Sequence, residues 1–88
     1  MLRNESVKVV DVSTPEEFSG GHVTGSLNIP LNELPQRVEE LSHHDGPVFI
    51  CAASGLQSSQ AENFLRDRGL SNVYDGGSWM DLNLVLTN

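Results

Sequence analysis

The sequence predicts an α/β fold in which helices cover both faces of a central, mainly parallel sheet, a three-layer α/β/α arrangement. Three observations carry that prediction. Short β-branched runs alternate with helix signals along the whole chain. The connections between those runs are long enough for parallel crossovers. The run Val48-Phe49-Ile50-Cys51 is apolar without interruption, as in a strand covered on both faces. The chain has 88 residues, so 1–88 is expected to form one small domain.

Val7 to Val12 is rich in β-branched residues and predicts the first strand. Thr14-Pro15-Glu16-Glu17 then opens a helix: Thr14 can cap it, Pro15 suits the first helical position, and Glu17 completes a capping box. Gly20-Gly21 ends that helix early. Residues 22–30 predict a turn and a short strand closed by Pro30. Asn32 is a plausible cap for a second helix, in which Leu34, Val38 and Leu41 share one face. Ser42 to Gly46 is a polar loop before the apolar run at 48–51. Gln57 to Arg68 predicts a third helix, with Ala61, Phe64 and Leu65 inward and Gly69 as its stop. Asn72-Val73-Tyr74 is a last short strand. Gly76-Gly77 then turns the chain into a segment holding Trp79, Leu82, Leu84, Val85 and Leu86, to which no element is assigned.

Composition narrows the function. A net charge of −7 and five scattered basic residues argue against nucleic acid or an anionic membrane surface as partner. No apolar run approaches the roughly 20 residues needed to cross a bilayer. The start, M-L-R-N-E-S-V-K, holds no signal-peptide core, so cytoplasmic residence is expected, although a removed export signal would leave the same evidence. A single cysteine excludes an internal disulfide and a multi-cysteine zinc site. His43-His44 lie in a polar loop with no third ligand nearby, so no metal is expected.

The chemistry-bearing stretch is Pro47 to Gln60, P-V-F-I-C-A-A-S-G-L-Q-S-S-Q. A strand ends near the cysteine, a small-residue loop follows, and a helix begins. Ala52, Ala53, Ser54 and Gly55 leave backbone N–H groups uncovered, and the helix start adds its own N–H groups and dipole. Such a loop suits an anion and lowers the pKa of a thiol at its centre. The same cysteine also reads as a buried strand residue, because free cysteine is among the most buried types.

D-V-S-T-P-E-E-F-x-x-G-H-V-x-G-S-L-N-I-P-L at 11–31 resembles the opening signature of rhodanese-like domains. The later strand, loop and helix, with N-V-Y-D-G-G-S-W at 72–79, are similar to the rest of such a domain. The resemblance runs from Val7 to about Leu82 and is nearest the short single-domain bacterial rhodaneses, and it leads to the expectation that the helix and edge strand many relatives carry before the first strand are lacking here. It implies a rhodanese-like fold and thiosulfate sulfurtransferase activity. In that chemistry a cysteine takes a sulfane sulfur from a thiosulfate-like anion, becomes a persulfide, and passes the sulfur to a thiol acceptor or cyanide. Loop N–H groups stabilise the anionic sulfur, and no cofactor is required.

This chain departs from the family loop, which reads roughly C-x-x-G-x-R-S. Gly55 stands four residues after Cys51, not three. A gapless register on Pro47, Gly55, Ser58 and Gln60 puts Ala52 at the nucleophile position. A loop one residue longer leaves Cys51 as the nucleophile. In either register the resemblance implies an anion-binding loop of Ala53, Ser54, Gly55, Leu56, Gln57 and Ser58, with Gln57 in place of the usual arginine. Two functions therefore stand side by side: sulfur transfer through a persulfide at the 51–57 loop, or an inactive anion- or protein-binding module with Ala52 at the nucleophile position. Asp11 and His22 match family positions and are expected to be structural. Trp79 is expected to pack, and the acids at 33–45 to form a solvated face.

Overall fold

The computed structural model describes residues 7–87. Four strands form one parallel sheet: β1 (Lys8–Asp11), β2 (Leu27–Asn28), β3 (Val48–Ala52) and β4 (Val73–Ser78), in the spatial order β2-β1-β3-β4. The helices are α1 (Pro15–Gly20), α2 (Leu34–Ser42), α3 (Gly55–Asp67) and α4 (Trp79–Thr87). The segment before Val7, where many relatives carry a helix and an edge strand, lies outside the described residues.

Alternation along the strands divides the interior in two. Val10, Val12, Val48, Ile50, Ala52 and Val73 face one side, where Leu34 and Leu41 of α2 and Ala61 and Leu65 of α3 close a buried cluster. Val9, Phe49 and Cys51 face the other side and meet Val23, Trp79 and Leu82. The uninterrupted apolar run at 48–51 is thus a strand covered on both faces, as its composition predicts.

Thr14 caps α1 as expected: its Oγ1 accepts from the Glu17 N–H at 3.2 Å, and Glu17 Oε1 accepts from the Thr14 N–H at 3.0 Å. A helix of six residues has few internal bonds to hold it, so these end bonds matter. Thr14→Ala should cost about 1 kcal/mol in urea unfolding, whereas Thr14→Ser should retain most of that stability.

Four boundaries differ from the sequence expectation. Asn32 caps nothing. A single 3-10 turn, Leu31–Glu33, precedes α2, and Pro35 in the first turn of that helix removes one N–H that would have needed a cap. α3 begins at Gly55, two residues before Gln57, because Ser54 caps it. β4 continues through Gly76-Gly77 to Ser78 instead of turning there. The β3–β4 register jumps from Ile50↔Asp75 to Ala52↔Ser78, so one extra β4 residue is absorbed as a bulge, and Gly77 (φ 77°) supplies the left-handed step it needs. The unassigned C-terminal segment is α4. Gly69 (φ 95°) does stop α3, as predicted.

Candidate functional site

In the order β2-β1-β3-β4, the chain leaves β1 toward β2 and returns on the far side of β1 to make β3. The sheet's topological switch point therefore lies between the carboxyl ends of β1 and β3, where open parallel sheets place their ligands. Asp11, Val12 and Ser13 come from one side, and Ala52, Ala53 and Ser54 from the other. An open cleft of about 490 Å³ lies beside this point, lined by Val12, Thr14, Pro30, Leu31, Asn32 and Gln57.

The two candidate nucleophile positions face opposite ways. Ala52 is fully buried on the α3 side, at the point where the chain leaves the sheet. Cys51 is also fully buried, but on the α4 side against Val23 and Leu82. Burial in that layer, and then the Asp11 carboxylate beside it, push the Cys51 thiol from 9.0 up to about 12. Asp11 and Cys51 are register partners on β1 and β3.

The loop's N–H groups are largely engaged within the protein. Ala53 N–H donates to Ser13 Oγ at 2.8 Å, across the switch point. Ser54 N–H donates to Gln57 Oε1 at 3.2 Å, and Gln57 N–H returns a bond to Ser54 Oγ at 3.4 Å, a second capping box. Ser58 N–H bonds the Ser54 carbonyl. The exposed Gly55 and Leu56 remain, the first two residues of α3, a position whose N–H groups have no partner inside a helix. Ser58 is buried, with its Oγ 2.9 Å from the Gly55 carbonyl and 2.6 Å from Asp75 Oδ1. Asp75 Oδ1 also accepts from the Gly77 N–H at 2.9 Å, which ties the start of α3 to the β4 bulge.

The two capping boxes touch. Gln57 Nε2 donates to Glu17 Oε1 at 3.4 Å. The Thr14 N–H and then the Gln57 amide hold the Glu17 carboxyl below the usual carboxylate range. The Gln57 amide that lines the cleft is therefore tied to a carboxylate. Of the described basic residues, Lys8 starts β1, Arg37 of α2 pairs with Glu33 and Glu40, and Arg66 and Arg68 lie at the far end of α3.

Ser13 and Asn28 contribute more than sequence reasoning assigned them. Asn28 Nδ2 donates to the carbonyls of both Asp11 and Ser13, at 3.0 Å each, and so fixes the end of β1. The phrase L-N-I-P was the available signal, since an asparagine ending a two-residue strand has backbone groups within reach. Asp11 Oδ1 accepts from the Ser13 N–H at 2.9 Å, the local backbone bond expected for a structural aspartate. His22 places Nδ1 2.7 Å from the Phe18 carbonyl and stacks on the Phe18 ring, also as a structural residue. Trp79 packs in the Cys51 layer. Among the described residues no cluster of three or more metal-ligating side chains occurs, and no helix is long and apolar enough to cross a membrane.

Known proteins place this arrangement. Residues 1–79 match the family model for the rhodanese-like domain. An uncharacterized protein of Bacillus subtilis, YqhL, is 38% identical over 68 residues, which cover 77% of this chain and 53% of YqhL. Thiosulfate sulfurtransferase PspE of Escherichia coli is 32% identical over 74 residues, covering 83% of this chain and 71% of PspE. The chain thus spans about half of the first relative and about seven-tenths of the second. A solved structure of a rhodanese with anions from E. coli superimposes with a TM-score of 0.77 at 32% identity, covering 85% of this chain and 89% of that one. With a parallel sheet, a loop at its switch point and a family match along most of its length, the chain belongs to the rhodanese-like domain family.

Proposed function

We propose that this chain is a rhodanese-like binding module that forms no persulfide at Cys51 and holds its ligand without a covalent bond at the carboxyl ends of β1 and β3. One observation carries the reading: the thiol lies on the α4 side of the sheet, whereas Ala52, from which the loop departs, lies on the side that α3 covers. A one-residue displacement along a strand reverses the side chain's face. Ala52 has the facing that a loop nucleophile needs, and a methyl group there cannot carry sulfur.

The sulfur chemistry in the name of PspE supports a sulfur-containing ligand or partner. The engaged N–H groups of Ala53, Ser54, Gln57 and Ser58 support weak, non-covalent binding in place of a tight anion cradle. The cleft beside the loop offers apolar Val12, Pro30 and Leu31 together with polar Thr14, Asn32 and Gln57.

Intact-mass spectrometry after incubation with thiosulfate tests the reading. The native chain should gain no sulfur, and its cyanide-dependent thiocyanate formation should match that of Cys51→Ser. Ala52→Cys should gain one sulfur, because its thiol would stand on the α3 face beside the free end of that helix. A one-sulfur adduct on the native chain that Cys51→Ser abolishes would overturn the proposal and support the sulfurtransferase reading.

A further inference from the structure

Asp11 is fully buried, and only one of its carboxylate oxygens is satisfied. Oδ1 accepts from the Ser13 N–H, while no donor is aligned on Oδ2. A buried carboxylate oxygen without a donor is costly, so its neighbours are the place to look for one. Cys51 is the register partner of Asp11 on the adjacent strand, and the two side chains share a face of the sheet. The thiol is itself fully buried, and burial raises its pKa further above neutrality, so it keeps its proton. A thiol is a weak donor, but it is a donor.

We propose that Cys51 is a positioning residue: its S–H donates to Asp11 Oδ2, and through Asp11 and Ser13 it fixes where the loop leaves the sheet. The remaining bonds of the path are in place. Ser13 N–H donates to Asp11 Oδ1 at 2.9 Å, and Ala53 N–H donates to Ser13 Oγ at 2.8 Å. Asn28 holds the Asp11 and Ser13 carbonyls from the β2 side. Cys51 and Ala53 lie two residues apart, so the path is a closed ring joining the ends of β1 and β3 across the switch point. The thiol's pKa is raised first by burial and then by Asp11, and the second contribution agrees with this role, because a carboxylate that accepts from a thiol keeps it protonated. The only cysteine is then retained for its proton and its size, and not for nucleophilicity.

The inference rests on the reading of Cys51 as non-reacting, but the two fail separately. A persulfide on Cys51 removes the first, whereas the following measurements address the second alone. With one cysteine, the chain has a single S–H stretching band in the infrared. That band should lie at lower frequency in the folded chain than in the urea-unfolded chain, and Asp11→Asn should shift it back toward the unfolded value. Cys51→Ala should raise the hydrogen-exchange rate of the Ala53 amide roughly tenfold, and Cys51→Ser, which keeps a donor, should restore most of the protection. An S–H band at the unfolded frequency in the folded chain overturns the proposal. So does equal Ala53 exchange in Cys51→Ala and the native chain. The infrared measurement needs only the native protein, so it decides the matter even where a variant does not fold.

Discussion

Folded Cys51 should alkylate at least about a thousandfold more slowly at neutral pH than the same cysteine in the urea-unfolded chain. The thiolate is the reacting form, and raising the pKa from 9.0 to about 12 removes about three orders of magnitude of thiolate before access is considered. Full burial against Val23 and Leu82 then requires the α4 layer to open before reagent can enter. The rate should therefore follow the opening equilibrium and rise steeply with urea. The same shift makes stability depend on pH. Because the folded state keeps a proton that the unfolded chain releases, the contribution of Cys51 is intact below pH 9 and is lost as pH rises toward about 12. Urea midpoints should fall more steeply across that window for the native chain than for Cys51→Ser. The difference is at most about 4 kcal/mol at ~1.4 kcal/mol per pKa unit. Native alkylation as fast as in urea, or parallel midpoints for the two proteins, would contradict the buried placement.

Much of the fold was legible because local signals and tertiary packing agree. The Thr14–Glu17 capping box, the Gly69 stop and the continuous run at 48–51 each name a local structure that the packing keeps. The family signature at 11–31 and 72–79 adds long-range order that periodicity alone could not supply. What failed did so for identifiable physical reasons. α4 carries Leu82 inward and Leu84, Val85 and Leu86 outward, so no apolar stripe marks it as a helix. Gly76-Gly77 has the sequence of a turn but serves as a bulge, and a bulge is a matter of pairing with β3 that one strand does not reveal.

The loop shows a different kind of failure. Ser54-Gly55-Leu56-Gln57 has the S-x-x-Q form of a capping box, yet by resemblance to the family loop Gln57 reads as a substitute for arginine. With Ser54 as the cap, α3 starts at Gly55, and the side chain of Gln57 turns back onto the loop and across to Glu17. The small residues at 52–55 predict an uncovered backbone, yet Ala52 is buried in the sheet and the Ala53 and Ser54 N–H groups are engaged within the protein. Which acceptors claim the loop's N–H groups depends on Ser13, 40 residues away from Ala53, and no local pattern encodes that contact. The opposite facings of Cys51 and Ala52 follow from strand alternation once β3 is known to run through both.

Gly21→Ala should destabilise the domain by about 1–3 kcal/mol, and most of that cost should vanish when Trp79 is replaced by Phe. Gly21 has φ 162°, an extended backbone that any residue adopts, so conformational strain has no part in the effect. The cost is steric. A Cβ at Gly21 would stand 2.5 Å from Trp79 Cζ2 and 2.9 Å from Cη2, with the third near atom, Cε2, at 3.4 Å. The tryptophan cannot retreat freely, because it opens α4 and packs in the layer that covers Cys51. Displacing it strains the lid over the thiol as well as the end of α1. Phenylalanine lacks the benzo edge that carries Cζ2 and Cη2, so Trp79→Phe leaves room for the methyl group at some cost of its own in lost packing. The measurement is a double-mutant cycle of urea melts followed by circular dichroism, since the variant removes the only tryptophan. The cost of Gly21→Ala should be less than half as large in the Trp79→Phe background. Gly21→Ala should also hasten Cys51 alkylation, because the same ring closes that layer. An equal cost in both backgrounds would show that Gly21 is needed for something other than the close approach of Trp79.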